Sequence, residues 1–282
     1  VCWSPPFSII EQSRSEDYRI ASSDISGQII ISEPISASKR CQFSHVTSNV
    51  LNMKWFVWKD MSRDFLLSLH SGDCLILWNT ENGEKIWAVG YTTPLFDLAI
   101  DPFNTSHVAF SSLGCNIALC TEISLNNTPP NTSRNVTICE DQTKSAKSVS
   151  TIQTLTYHNA YRDILFVVTV SQVHCFHTDL FAVLFSMNIE PNLISWLCCS
   201  SRDAVFAVQA SGAVSLKVGA FAANDERADA QLTLEKLAAG EVQRQGTQQR
   251  AVGAALCPVT QSTVAVLFSS GRLVLWQLVR SF

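Results

Sequence analysis

The chain contains the segment Ser71-Gly72-Asp73-Cys74-Leu75-Ile76-Leu77-Trp78, a Ser-Gly step followed by a nearly continuous apolar run. Further copies of this pattern occur at 26–31, 211–216 and 270–276, and weaker copies occur at 113–119 and 171–176. Consecutive copies lie about 45, 42, 57, 41 and 59 residues apart along the sequence. A period of about 40–45 residues that contains several short strands is typical of the blades of a β-propeller.

A β-rich run precedes the Ser-Gly steps, for example Phe65-Leu66-Leu67-Ser68-Leu69 before Ser71 and Ala204-Val205-Phe206-Ala207-Val208 before Ser211. Such runs, bounded by turn residues, predict central strands that are buried on both faces of a sheet. The glycine between two runs supplies the positive φ that a tight hairpin requires. The sequence therefore predicts an all-β propeller with about six blades of four antiparallel strands, the sixth ending after its third strand.

The main alternative fold is a β-sandwich with regularly spaced turns. It is disfavoured because a sandwich has no reason to keep one glycine motif at one position of one period. We interpret residues 1–282 as a single propeller domain. Because the chain starts within a strand and stops within a blade, we expect it to be an incomplete part of a ring of seven or more blades, with unpaired sheet edges at its ends.

Two of the intervals between repeats are longer than the others. Residues 124–150 are polar, contain prolines and lack periodicity, which predicts a solvated insertion. Residues 220–250 form a second insertion, in which Leu232-Thr233-Leu234-Glu235 alternates and predicts the outer strand of the fifth blade. Either insertion is a place for a partner to dock, because loops often carry binding sites. The alternative is a simple spacer, because added loop length costs little free energy.

Composition excludes several classes of protein. Hydrophobic residues make up 46% of the chain and charged residues 16%, which excludes a disordered protein. The net charge of −4 offers no basic surface, so we expect no nucleic-acid partner. No apolar run approaches the ~20 residues that span a bilayer, so any membrane association is expected to be indirect.

The sequence also bears on location. The chain shows no secretory leader pattern at its start, and most of its ten cysteines lie in apolar runs, where cysteine acts as a small hydrophobe. We therefore expect a cytoplasmic protein. The glycosylation sequons at Asn104, Asn126, Asn131 and Asn135 keep a secreted ligand-binding propeller as an alternative.

The sequence lacks the recognised catalytic motifs, such as a nucleophile elbow or a phosphate-binding loop. His174 and His177 are three residues apart, and Cys115 and Cys120 are five apart, so each pair would point to opposite faces of a strand. The neighbours Cys198-Cys199 alternate in the same way. We expect no enzyme activity, catalytic residue, metal site or cofactor, and the partner-binding residues are unassigned. An enzymatic propeller is the disfavoured alternative.

Tryptophan positions mostly indicate core packing. Trp78 and Trp276 end the third strands of their blades, where an indole is expected to pack between neighbouring sheets. The predicted first-strand tryptophans are Trp3, Trp55 and Trp196. For Trp58 and Trp87, core packing is favoured over an exposed binding anchor.

The segment Arg19-Ile20-Ala21-Ser22-Ser23-Asp24-Ile25-Ser26-Gly27 resembles the second strand and hairpin of a WD repeat. Residues 61–87, 101–107 and 257–276 are similar to one branch of the WD-repeat family. The Trp-Asp dipeptide of regular repeats is Trp78-Asn79 and Trp276-Gln277 here, and the Gly-His dipeptide is missing. The blades are therefore degenerate, and the peptide-binding site of regular propellers is not transferred to this chain.

The resemblance implies the amino-terminal propeller of a long protein with a second propeller and a helical region. Such proteins act as scaffolds in a complex that captures endosome-derived vesicles at the trans-Golgi network. The implied partners are co-subunits of that vesicle-tethering complex and golgin-type tethers. The implied locations are the trans-Golgi network, cytoplasmic vesicles and the base of the cilium. The alternative is a scaffold in ciliogenesis and Hedgehog signalling. The family supplies no catalytic residues.

Overall fold

The structure, a computed structural model, describes residues 1–4, 19–33, 36–45, 48–56, 65–71, 74–126, 134–138, 151–189, 192–200, 203–218, 232–240, 249–257 and 260–280. Within these ranges the chain forms β-strands and turns, and no helix that could cross a membrane is present. The chain divides into two compact units, Val1–Leu155 and Thr156–Phe282. The prediction of one domain over 1–282 stays a prediction, and the units are described separately.

The first unit contains three four-stranded antiparallel sheets whose strands follow one another in chain order. Sheet 1 consists of β1 (Cys2–Trp3), β2 (Ile20–Ser23), β3 (Gln28–Ser32) and β4 (Lys39–Ser44). Sheet 2 consists of β5 (Val50–Phe56), β6 (Phe65–His70), β7 (Cys74–Asn79) and β8 (Lys85–Gly90). Sheet 3 consists of β9 (Leu95–Ile100), β10 (Val108–Ser112), β11 (Asn116–Cys120) and β12 (Arg134–Thr137).

Three further sheets complete the described strands. Sheet 4 begins with β13 (Ile152–Tyr157), which starts within the first unit, and continues with β14 (Ile164–Thr169), β15 (Gln172–His177) and β16 (Ala182–Asn188). Sheet 5 consists of β17 (Leu193–Cys198), β18 (Ala204–Gln209) and β19 (Val214–Val218). Sheet 6 contains β20 (Leu232–Gly240), β21 (Ala251–Leu256), β22 (Thr263–Phe268) and β23 (Leu273–Arg280).

In sheets 2, 4 and 5 the second strand is the most deeply buried element. Every residue of β6 and β14 is buried, and five of the six residues of β18 are buried. A strand in the middle of a packed sheet is covered on both faces, so its side chains are largely apolar. The prediction of central, doubly buried strands is confirmed for these three strands, whereas β2 and β22 are only partly buried.

The hairpin turns follow the predicted glycine chemistry. Gly27, Gly114, Gly212 and Gly271 all have positive φ, between 69° and 85°. A side chain at Gly27 would place its Cβ only 2.1 Å from the carbonyl oxygen of Ser48, so this glycine also permits a close approach between neighbouring segments. Gly72, the glycine of the second repeat, lies outside the described residues.

The core lies between neighbouring sheets. Ile29, Ile31 and Phe43 of sheet 1 pack with Leu66 and Trp78 of sheet 2. The Trp78 side chain is 2% exposed, and its ring centroid lies 4.7 Å from that of Phe43. Trp78 therefore packs between two sheets, as predicted.

The other tryptophans also serve the core. Trp87 is buried among residues of sheets 2 and 3, and its Nε1 donates a hydrogen bond to the carbonyl oxygen of Ser124 at 2.9 Å, which confirms core packing over an exposed anchor. Trp55 and Trp196 are buried on first strands, and Trp276 packs between sheets 5 and 6. Trp58 lies outside the described residues.

First strands carry a recurring bulge. In β5, β9, β17 and β21 the pairing with the second strand shifts by one residue. The residues passed over at these shifts are apolar in all four strands: Leu51, Phe96, Ile194 and Val252. A bulge leaves its extra residue outside the regular alternation of the strand.

The outer strand of sheet 6 differs from its prediction. β20 contains the predicted strand 232–235, but it pairs with β23 in sheet 6 and not with β19 in sheet 5. Sheet 6 therefore has four strands where three were predicted, and sheet 5 has three among the described residues. The physical reason is strand length, because the eight residues of β23 offer β20 a longer ladder than the five of β19.

Part of the insertion predicted at 124–150 belongs to a sheet. Residues Arg134–Thr137 form β12, which pairs with β11 as the outer strand of sheet 3. Three of its four residues are exposed, so this strand needs no apolar alternation and is held by its backbone ladder. Residues 127–133 and 139–150 lie outside the described ranges, as do 219–231 and 241–248 of the second insertion.

Candidate functional site

A buried polar network joins two strands of sheet 2. The Nε1 of Trp78 donates to Ser68 Oγ at 2.8 Å, and Ser68 Oγ lies 2.9 Å from Nε2 of His70. The His70 Nδ1 lies 3.4 Å from the carbonyl oxygen of Ser48. Because burial lowers the pKa of His70, the ring is neutral, and this arrangement assigns its proton to Nδ1.

A serine beside a histidine is also the core of a nucleophilic dyad. Ser68 and His70 are both 0% exposed, so no substrate reaches the hydroxyl. The hydroxyl also accepts the indole proton of Trp78, which ties it to the core. The network therefore supports the fold rather than bond-making chemistry.

A second histidine is held in the same way in the second unit. His158 is fully buried, and its Nδ1 accepts hydrogen bonds from the backbone N–H groups of Ala160 at 2.9 Å and Tyr161 at 3.3 Å. Its Nε2 therefore carries the proton and faces Asp203 Oδ1 at 3.3 Å. Burial lowers the pKa of His158, although Asp203 opposes the shift. The pair anchors the β13–β14 turn to the start of β18.

Asp97 is a half-buried carboxylate of the first unit. One of its oxygens accepts a hydrogen bond from the Asn52 side chain on β5, and Oδ2 accepts one from the backbone N–H of Leu155 at 2.8 Å. Asp97 thus links β9 to two other first strands. Both oxygens are engaged, so the carboxylate is a structural acceptor rather than a free general base.

The candidate metal ligands of the sequence do not converge. His174 is buried and lies 2.7 Å from Ser186 Oγ through its Nδ1, whereas the Nδ1 of His177 accepts from the backbone N–H of Leu180 at 3.4 Å. Cys198 packs between sheets 4 and 5, while its neighbour Cys199 packs between sheets 5 and 6. Over the ranges that the structure describes, no three histidine, cysteine or acidic side chains come together as a metal site.

The nine cysteines that the structure describes are free thiols, and burial controls the chemistry of several of them. Burial raises the pKa of Cys2 to about 11 and that of Cys175 to about 12, and it also raises the pKa of Cys198. A thiol with such a pKa is protonated at neutral pH and is a weak nucleophile. These cysteines fill space in the core.

Sequence comparison relates the chain to one group of proteins. No model of a known protein family matches it. The chain is 22% identical over 304 residues to WD repeat-containing protein 11 of Danio rerio, which covers 92% of this chain and 24% of that protein. The same protein of Homo sapiens is 22% identical over 303 residues and 25% covered. The chain thus spans about a quarter of the length of the curated relatives it matches, and the predicted resemblance is confirmed.

Comparison with solved structures decides the fold. The β-propeller domain of Cps50 (Swd1) from Myceliophteria thermophila superposes with a TM-score of 0.60 at 14% identity, covering 93% of each chain. The fold is that of a WD-repeat β-propeller. A chain of the Mitotic Checkpoint Complex gives a TM-score of 0.63 at 11% identity and covers 93% of this propeller and 73% of the neighbour. Sqt1 of Saccharomyces cerevisiae gives 0.58 at 12% identity, with 93% and 69% covered.

The propeller contains polar residues that the sequence analysis did not single out. Ser68 lies within the predicted strand 65–69 and His70 follows that strand directly. The available signal is that these two polar residues are two positions apart, with a tryptophan ten residues beyond Ser68. Asp97 gave no signal, because a single acidic residue in a first strand is not distinctive. Its role depends on contacts with residues 45 and 58 positions away.

Proposed function

We propose that the chain is a non-catalytic protein-interaction scaffold and that the protein containing it serves in vesicle tethering at the trans-Golgi network. The observation that carries this proposal is the similarity to WD repeat-containing protein 11 over 92% of the chain. The proposed partners are co-subunits of a tethering complex and golgin-type tethers. The proposed location is cytoplasmic, on trans-Golgi and vesicle surfaces that the protein reaches through its partners.

The packing of the propeller supports a scaffold. The side chains of His70, His158 and Asp97 are committed to hydrogen bonds that hold strands and turns together. A rigid body of packed sheets loses little conformational entropy when it binds. Such a body suits the docking of proteins on its outer surfaces.

The test is purification of the full-length protein from cells, with quantitative mass spectrometry of the proteins recovered and imaging of its location. We expect vesicle-tether subunits and golgins to be enriched over a purification of an unrelated propeller at equal expression. Trans-Golgi staining that disperses when the tethers are depleted would agree with this.

Other outcomes would contradict the proposal. Recovery of ciliary or Hedgehog components without tethers would replace it with the alternative scaffold role. Occupied glycans at Asn131 and Asn135 would establish a secreted propeller. Copurification of a substrate turned over by the pure protein would end the non-catalytic interpretation.

A further inference from the structure

The outer strand of sheet 4 has an open edge. β16 is the last strand of its sheet, and among the strands that the structure describes it pairs with β15 alone. Five of its seven residues are exposed, and the exposed fraction reaches 37% for Val183 and 45% for Leu184. A strand in this position presents backbone N–H and C=O groups to which another strand can bind.

β16 differs from the other outer strands in its charge. A charged residue on an edge strand opposes pairing with a second chain. The outermost described strands of the other sheets each carry at least one charged residue: Lys39 and Arg40 in β4, Lys85 in β8, Arg134 in β12, Lys217 in β19, and Glu235 and Lys236 in β20. The sequence of β16 is Ala-Val-Leu-Phe-Ser-Met-Asn, without a charge. Of these outer strands, β16 alone lacks this protection.

The ladder with β15 determines which backbone groups of β16 point outward. The N–H of Ile189 donates to the carbonyl oxygen of Ser171 at 3.0 Å. Along an antiparallel ladder, residues that bond to the neighbouring strand alternate with residues that do not. Met187, two residues before Ile189, therefore also directs its N–H and C=O toward β15. The N–H and C=O groups of Ser186 and Asn188 point toward the open edge.

The side chains of the same segment are fixed on both faces. Phe185, Met187 and Ile189 pack against the core between sheets 4 and 5. The side chains of Ser186 and Asn188 lie on the other face, where both form hydrogen bonds with side chains of β15. A segment that is already held in an extended conformation loses little entropy when a further strand is added.

A second copy of the segment matches the first when the two run antiparallel about a two-fold axis at Met187. Ser186 then pairs with Asn188 of the second copy, and each such pair exchanges both of its backbone hydrogen bonds. On the apolar face, Met187 lies opposite Met187 of the second copy, and Phe185 lies opposite Ile189. Polar residues thus meet polar residues and apolar residues meet apolar ones, the cross-strand pairs that stabilise a sheet.

We infer that β16 pairs with β16 of a second copy of this chain, so that sheet 4 continues from one copy into the other. A strand without charges meets its own copy without like-charge repulsion, and pairing about a two-fold axis closes into a dimer. The bulge at Leu184 precedes the segment and ends the shared ladder. The inference goes beyond the proposed scaffold function, because it concerns how copies of the chain assemble rather than what they tether.

A cross-link tests the register of this pairing. At the two-fold axis the two Met187 residues have Cα atoms about 4.5 Å apart, which is close enough for a disulfide. We expect Met187→Cys in the purified full-length protein to give a covalent dimer under mild oxidation, with the 187–187 linkage identified by mass spectrometry. Ser44→Cys, at an exposed position of β4, is the control and should give no such dimer. Failure of residue 187 to link the two copies would overturn the inference.

A proline substitution tests the backbone pairing. Asn188→Pro removes an N–H that points toward the open edge and leaves the donors to β15 in place. Asn188→Ala is the matched control, because it loses the same side-chain bond to Gln172 but keeps the N–H. In sedimentation velocity we expect proline to raise the dimer dissociation constant at least about tenfold and alanine to leave it within about twofold. Thermal melts check that both variants fold.

Other outcomes of these measurements would contradict the dimer. A wild-type protein that stays monomeric at every concentration, or equal effects of the two substitutions at Asn188, would overturn the inference. Protection of the β16 amides from hydrogen exchange that appears only after a partner protein is added would assign the edge to that partner and would also overturn it.

Partner recovery separates this inference from the proposed function. If the purified wild-type protein forms the 187–187 cross-link as Met187→Cys but recovers no tethers from cells, the scaffold function fails and the dimer stands. If tethers are recovered and the cross-link does not form, the dimer is wrong and the scaffold function stands.

Discussion

At the residue scale, the structure stabilises its sheets with a few buried polar side chains. Ser68, His70 and Trp78 form one continuous network, and His158 with Asp203 forms another. A satisfied hydrogen bond contributes about 1 kcal/mol net, but a buried group left without its partner costs about 1–3 kcal/mol. These residues are therefore sensitive positions although they carry no catalytic chemistry.

Removing the central hydroxyl tests this network. We expect Ser68→Ala to lower the free energy of unfolding by about 2 kcal/mol, because it leaves the Trp78 N–H and the His70 ring nitrogen without partners. Urea denaturation measures the change. The exposed Ser44→Ala is the control and should stay within about 0.5 kcal/mol. Equal effects of the two substitutions would contradict the role of the network.

The buried histidines predict a loss of stability in weak acid. Burial lowers the pKa of His70, His158 and His174 below the ordinary value of 6.5. In weak acid these histidines therefore bind protons more readily in the unfolded chain than in the folded chain. The free energy of unfolding keeps its full value above about pH 6.5 and falls as the pH drops toward the lowered pKa values of the folded chain. Urea midpoints at pH 7.5 and 5.5 measure this.

Single substitutions identify which histidines cause the loss of stability in acid. His70→Gln should reduce the difference between the two midpoints, because one of the histidines with a lowered pKa is gone. The exposed Ser44→Ala, which removes no titrating group, should keep the wild-type difference. Midpoints that do not move between pH 7.5 and 5.5 in the wild type would refute the assignment.

At the element scale, turns fix how closely neighbouring sheets approach. The turn of Gly27 lies against the backbone of Ser48, and that of Gly212 lies against the ring of Phe268 in the next sheet. The same glycines also have positive φ, so they combine a backbone requirement with a space requirement. The repeated Ser-Gly motif reflects both.

Gly27→Ala is expected to destabilise the chain by about 2 kcal/mol or more, because φ at 79° strains a side chain and Ser48 occupies its space. Gly90→Ala is the matched control, since no atom lies within 4 Å of the added methyl group. Thermal or urea unfolding compares the two variants. Similar stability in both would show that the turn does not touch the segment before β5.

A cross-link tests the assignment of β20 to sheet 6. Glu235 pairs with Gln277 in that ladder, and paired antiparallel residues have Cα atoms close enough for a disulfide. We expect Glu235→Cys with Gln277→Cys to form a disulfide under mild oxidation, detected by mass spectrometry. Glu235→Cys with Lys217→Cys, which probes pairing with β19, should not. A disulfide in the second pair but not in the first would show that β20 pairs with β19 in sheet 5.

Sequence patterns predict some strands of the structure and not others. The second strands were predictable because burial on both faces leaves continuous apolar runs, as in β14. The outer strands β12 and β20 were not assigned correctly, because an outer strand is chosen by backbone pairing and its side chains leave a weak signal. The bulges at Leu51 and Phe96 also depend on pairing with a neighbouring strand.

At the scale of the whole molecule, buried and exposed apolar side chains lie in different places. Large apolar side chains fill the spaces between sheets, and five of the described cysteines are buried with them. The exposed side chains of Ile25, Leu51 and Phe96 come from three sheets, so no local sequence pattern reveals that they lie at one edge. Only the fold shows that Ile25 and Phe96 share an edge.

The reactivity of the thiols tests which cysteines are buried. At neutral pH we expect Cys175 and Cys198 to react with iodoacetamide at least about tenfold more slowly than the partly exposed Cys41 and Cys74, because burial limits access and thiolate formation. Peptide mass spectrometry quantifies each site, and all should react alike in urea. Fast alkylation of Cys198 in the native chain would contradict the packing between sheets 4 and 5.

The pairing of β20 with β23 sets an order of events during protein synthesis. β20 leaves the ribosome about 40 residues before β23, so at about 5–20 residues per second it waits roughly 2–8 s for its partner. During that interval its backbone groups are open to any strand nearby, including the edge of β19. Translation speed across residues 241–272 therefore influences which ladder a newborn chain forms first.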